Sequence, residues 1–153
     1  MIARIAISLG AVGMAVGLAA SARADAPAGQ YQISNGTVYD TRTKLTWQQA
    51  VQGKSPAYYT WDAAKTYCAG LSLGGMVGWR LPTVKELWTL MDLSVAVSVA
   101  DPPLIDPDAF PSTGQTYFSS SSLDSEGSVL SVHFGFPILG RGTGNGSSFR
   151  CVR

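Results

Sequence analysis

Two cysteines, Cys68 and Cys151, are all that this chain of 153 residues contains, and they stand 83 positions apart. Whether they bond depends on the compartment, because disulfides persist outside the reducing cytosol. The N-terminus bears on that question. Met1–Arg4 opens with positive charge, Ile5–Ala20 is apolar or glycine apart from Ser8, and Ala22-Arg23-Ala24 has the small-x-small spacing of a signal-peptidase site. Residues 1–24 therefore read as a signal peptide, with Asp25 as the mature N-terminus. The apolar run of 16 residues is shorter than the roughly 20 needed to cross a bilayer, so no stable membrane span is expected in the mature chain. An even pair of cysteines in an exported chain reads most simply as one disulfide. A staple around so long a loop stabilises by roughly 4.5 kcal/mol in the chain-entropy picture. That is comparable with the whole stability of a marginal domain. A reactive thiol is the alternative reading, although no His stands beside either cysteine to activate it.

Removal of the leader leaves about 129 residues, enough for one core and too few for two ordinary domains. Residues 25–30 read as a mobile polar tail, and 31–153 as a single domain. Arg4 and Arg23 leave with the leader and no acid does, so 11 basic residues become 9 against 10 acidic. The net charge passes from +1 to about −1. A balance so near neutrality argues against a nucleic-acid binder driven by phosphate contacts. One His and two Cys cannot build the usual four-ligand zinc site.

Along the chain, Tyr31–Ile33, Val38–Tyr39 and Leu45–Gln48 read as short strands, with Asn35-Gly36 as the turn between the first two. Thr60 caps a helix in which Trp61, Ala64, Cys68 and Leu71 share one face. Thr83 and Glu86 form the capping box of a second helix, with Val84, Leu87, Trp88 and Met91 on its apolar face. In Val129–Phe136 the period changes to two, placing Leu130, Val132, Phe134 and Phe136 on one side of a strand. Thr116–Ser120 and Phe149–Val152 are further strand candidates, and Leu139–Ser148 reads as a long flexible Gly/Ser/Asn loop. Strands, two helices, then strands predict an α+β fold: two short helices packed on small antiparallel sheets.

Several of these segments resemble a known family. Gly36-Thr37-Val38-x-Asp40 is followed by Thr43-x-Leu45-Thr46-Trp47, then by Trp61-x-x-Ala64 with Tyr67-Cys68. Next come Gly78-Trp79-Arg80-Leu81-Pro82-Thr83-x-x-Glu86-Leu87, Phe110-Pro111, Tyr117-Phe118-Ser119-Ser120 and Arg150-Cys151-Val152-Arg153. In this order they resemble the C-terminal domain of the legionella collagen-like adhesin, a domain of unknown function. The resemblance implies a C-type-lectin-like fold related to formylglycine-generating enzymes. It also implies a secreted or cell-surface module, binding sulfated glycans in some members.

The residues that would carry chemistry are few. Arg141, Asn145 and Ser147 lie in the loop before the C-terminus, where polar groups on a rigid scaffold would form a ligand rim. Asp101, Asp106 and Asp108 would be calcium ligands, in a Pro-rich loop without the EF-hand pattern; otherwise no cofactor is expected. Arg80 reads as a structural clamp or a ligand contact. The four tryptophans, Trp47, Trp61, Trp79 and Trp88, read as core before they read as a sugar platform. His133 and the serines at 119–122 lack the Gly-x-Ser-x-Gly elbow of a hydrolase. These features favour an exported, non-catalytic binding module for a glycan or anionic polysaccharide at the periplasmic or outer surface. The alternatives are a protein-binding or structural module of the envelope, and a formylglycine-type thiol oxidase, which would need free cysteines.

Overall fold

A computed structural model describes residues 23–53, 59–95 and 102–153. Residues 1–22, most of the expected 1–24 signal peptide, and Asp101 lie outside the described residues. The first sheet contains β1 (Tyr31–Ser34), β2 (Thr37–Asp40) and β3 (Thr46–Gln48), antiparallel in that order. Ser34 faces Thr37 across a two-residue turn, Asn35-Gly36, in which both residues take positive φ (48° and 77°). Asn and Gly reach that region at least cost, which is why this pair sets the register of the hairpin.

Helix α1 spans Trp61–Gly70, and the Thr60 hydroxyl accepts from the Ala63 N–H. Ala64 and Cys68 are its buried residues, as the spacing predicts. Helix α2 spans Val84–Trp88 and begins with the complete Thr83/Glu86 capping box. At five residues it has little stability of its own, so packing holds it. Leu87 enters the larger core beside Trp47, Phe110, Phe118, Phe134 and Val152. The second sheet contains β4 (Tyr117–Leu123), β5 (Val129–His133) and β6 (Ile138–Gly142), also antiparallel in chain order. The fold is thus α+β, with two helices, two three-stranded antiparallel sheets and one disulfide.

The last six residues join these parts. Ser148 exchanges backbone hydrogen bonds with β4, and Phe149 with Gln52. Val152 bridges Arg80 and Trp47, and Arg153 pairs with Thr46. Cys151 is bonded to Cys68 of α1, and around it Trp79, Leu81 and Phe149 form the second core. The Phe149–Val152 segment therefore makes short bridges to several neighbours and does not form a regular strand. Arg150 is fully buried, with its guanidinium on the Gln48 and Gln49 carbonyls and the Thr113 hydroxyl (3.3, 3.1 and 2.7 Å), against the Phe110 ring. Burial pushes its pKa down to about 9, so it stays charged at neutral pH.

Three expectations are corrected. The presumed loop at 139–148 begins as strand β6. Glycines disguise it: an edge strand needs few β-formers when its partner, here β5, supplies the ladder. The alternation over Val129–Phe136 is not clean, since Val129 and Ser131 are buried as well as Val132 and Phe134. The 143–147 loop covers the face that alternation assigns to solvent. Of the tryptophans, Trp47 and Trp79 are core, whereas Trp61 and Trp88 are half-buried.

Residues 25–30 carry backbone hydrogen bonds: the Asp25 and Ala26 N–H groups donate to Asp92 and Asp106 (3.3 and 3.0 Å), and that of Gln30 donates to the Pro27 carbonyl (3.0 Å).

Replacing both cysteines by alanine is expected to lower the unfolding free energy by about 4.5 kcal/mol, read from urea titrations under non-reducing conditions. An unchanged midpoint would show that hydrogen bonding of the C-terminal segment alone closes the fold.

Candidate functional site

The outer face of the second sheet is shaped by a missing side chain. Tyr117, His133 and Ile138 lie in one cross-strand row, and Ser119, Ser131 and Gly140 in the next row on the same face. The Tyr117 ring lies against Gly140, where an added Cβ would come within 2.7 Å of its Cε1. His133 meets the Tyr117 ring edge-on at 4.7 Å between centroids.

The chain leaving β6 folds back over the sheet and is tied down. The Gly144 carbonyl accepts from the Ser119 hydroxyl (2.9 Å), and the Asn145 side-chain carbonyl accepts from the Trp61 N–H at the start of α1 (2.9 Å). The Gly146 N–H donates to the Tyr59 carbonyl (3.1 Å), and the Ser148 N–H to that of Tyr117 (3.0 Å). Gly144 has φ +71°, and a Cβ there would meet Val129 and Trp61 at 2.9 and 3.0 Å. The result is a depression of about 600 Å³ bordered by Tyr117, Ser131, Arg141, Thr143, Asn145 and Ser147. The three residues expected to form a ligand rim thus share one concave surface, though Arg141 belongs to β6 and the rest of the rim is pinned.

Arg141 is not a free cation. Its Nε donates to Asp124 Oδ2 (2.6 Å) and its Nη2 to Glu126 Oε2 (3.0 Å). The Ser128 N–H, then that of Glu126, and the Arg141 guanidinium hold the Asp124 carboxyl below its ordinary range. The same carboxylate closes the β4–β5 turn through those two backbone N–H groups.

Nor is His133 poised as a base for a serine. Its Nδ1 accepts from the backbone N–H groups of Gly135 and Phe136 (3.0 and 3.2 Å), and burial pushes its pKa down. The serines are structural ties: Ser120 donates to the Leu130 carbonyl, Ser121 to that of Pro82, and Ser122 accepts from the Val84 N–H at the start of α2.

Arg80 forks onto Glu86 (2.8 and 2.6 Å), the acid that also completes the α2 capping box. Around the expected calcium ligands, Asp106 accepts backbone N–H groups from Ala26, Asp108 and Ala109, and Asp108 pairs with Arg23. Among the described residues no group of three or more His, Cys, Asp or Glu side chains is arranged to hold a metal. Cys68 and Cys151 are both in the disulfide, which leaves no free thiol in the chain.

Tyr117, Ser131 and Thr143 were not expected at the site. The signal for Tyr117 lay in the Tyr-Phe-Ser-Ser motif, but only the pairing with β6 shows what its ring rests on.

Residues 36–153 match the family model described as the Lcl C-terminal domain. The chain belongs to this family. Neither the curated proteins nor the solved structures give a match. In this Lcl C-terminal domain no helix among the described residues is long and apolar enough to cross a membrane. An adhesin-associated family is compatible with non-catalytic binding to surface partners.

The His133 geometry sets a pH dependence. Burial in the folded state disfavours the protonated imidazole, so the unfolded chain takes up the proton first as pH falls through the ordinary histidine range, and stability drops over that interval. Thermal midpoints between pH 8 and pH 5 should therefore decline less in His133→Asn than in wild type; equal declines would remove His133 as the cause.

Proposed function

We propose that this Lcl C-terminal domain is an exported, non-catalytic binding module that takes a glycan in the depression beside β6. The observation carrying this reading is the Tyr117 ring, 37% exposed and resting on Gly140, with hydroxyl and amide groups around it. An aromatic face packs against the C–H face of a sugar ring, while Ser131, Thr143, Asn145 and Ser147 offer partners for its hydroxyls. The lectin-like relation implied by the family resemblance agrees with this use. Export through the 1–24 leader would deliver the domain to the periplasm, cell surface or medium. Cleavage after Ala24 would leave the new α-ammonium of Asp25 beside Asp92, 3.3 Å away in the uncut chain. Calcium has no part in the proposed contacts.

A protein partner is the second reading, favoured by β6 being the edge of its sheet. Ile138 and Leu139 on it are 46% and 53% exposed, and Leu139 borders an apolar cleft with Val84 and Trp88.

A glycan microarray probed with wild type and with Tyr117→Ala separates the two readings. Retention on saccharide that disappears in Tyr117→Ala, with the melting temperature unchanged, is the expected outcome. Gly140→Ala should act similarly, because its Cβ displaces the ring. Saccharide retention indifferent to both substitutions would move the site elsewhere. Failure of every saccharide would favour the protein reading.

A further inference from the structure

We infer that the depression selects an uncharged saccharide and discriminates against sulfated or uronic-acid chains. This rests on the proposed glycan-binding site and adds the class of ligand. Polyanion recognition needs guanidinium forks or ammonium groups left available to sulfate or carboxylate. Among the described residues that border the depression the single charged one is Arg141. It is bonded to Asp124 at 2.6 Å and to Glu126 at 3.0 Å, two carboxylates on one cation. The local sum is negative. A sulfate approaching this guanidinium would either take the uncommitted Nη1 edge, beside two carboxylates that repel it, or displace Asp124 or Glu126. Displacing Asp124 would also strain the β4–β5 turn, because its other oxygen accepts the Glu126 and Ser128 N–H groups (2.8 and 2.9 Å).

Arginines elsewhere offer no substitute. Arg23 would leave with the 1–24 leader, Arg80 is paired with both oxygens of Glu86, and Arg150 is fully buried. Arg42 donates to the Thr89 carbonyl and Arg153 to the Met76 sulfur, at separate places on the surface. Lys65 is paired with Asp62 and lies over the Trp61 ring at 3.7 Å. Lys44 and Lys85 are exposed without an ion pair among the described residues, but neither borders the depression.

What the depression does offer is neutral: one aromatic ring, three hydroxyls (Ser131, Thr143, Ser147) and the amide of Asn145. Its volume of about 600 Å³ lies within the range of small-ligand sites. This donor and acceptor set suits the hydroxyls and N-acetyl groups of an uncharged oligosaccharide. With no net charge on the ligand, affinity should be nearly independent of ionic strength.

Calorimetric titration of the full exported protein decides the matter. The probes are uncharged oligosaccharides (chito-, manno- and cello-oligomers) and, at matched length, heparin and polygalacturonate oligomers, each at low and high NaCl. The expected result is binding of at least one uncharged oligomer, with less than about a twofold change in Kd between salts. The anionic oligomers should bind at least about tenfold more weakly. Glu126→Gln, at an exposed side chain, should leave uncharged binding in place and strengthen anionic binding at low salt. Salt-sensitive anionic binding that wild type prefers, and that Arg141→Gln abolishes, would overturn the inference while leaving a glycan site. Absence of binding by any saccharide would overturn both the inference and the site reading on which it rests.

Discussion

The domain depends on a six-residue C-terminal strap held by one covalent bond. Ser148 to Arg153 forms backbone bridges to β4, to Gln52, to β3 and to Arg80, and the Cys68–Cys151 disulfide fastens it to α1. Neither sheet exceeds three strands and α2 is five residues long, so no single element could hold the others. Fastening the strap removes much of the entropy of the unfolded chain. It also fixes the edge of β4 from which Tyr117 projects, because Ser148 accepts from the Ser119 N–H and donates to the Tyr117 carbonyl (2.9 and 3.0 Å).

The strap also carries an expensive group into the core. Arg150 has no carboxylate partner there; two carbonyls, one hydroxyl and two phenylalanine rings surround its guanidinium. Its Nε and the indole N–H of Trp47 are buried without hydrogen-bond partners among the described residues. Such groups cost free energy unless they fix a particular arrangement. Here the guanidinium links the end of β3 to the 110–113 turn through Gln48, Gln49 and Thr113. It thereby connects the first sheet to the segment leading into the second.

Around that frame, two exposed arginines are turned onto acids of the domain itself. Arg80 closes onto the capping acid of α2 and Arg141 onto the β4–β5 turn. The depression beside β6 is lined by hydroxyls, an amide and an aromatic ring besides Arg141. Its shape follows from two glycines: Gly140 admits the Tyr117 ring and Gly144 lets the rim close onto Val129 and Trp61.

Local chemistry sufficed for the parts of the fold in which one short segment decides its own state. Asn35-Gly36 turns where the backbone needs positive φ, Thr60 and Thr83 cap their helices, and the two cysteines had no other partner in the chain. Arg141, Asn145 and Ser147 were legible as a polar rim because composition alone sets them apart. The strand at 138–142 was not legible. Its glycines read as loop, and its ladder comes from β5 rather than from its own propensity. Tyr117 as the floor of the site, the pairing of Arg141 by Asp124 and Glu126, and the engagement of His133 by two backbone N–H groups join positions brought together only by sheet register. The sequence by itself determined the caps, the turn, the covalent closure and the family. Only tertiary structure decided which cations remain available to a ligand, because that depends on which acids fold against them.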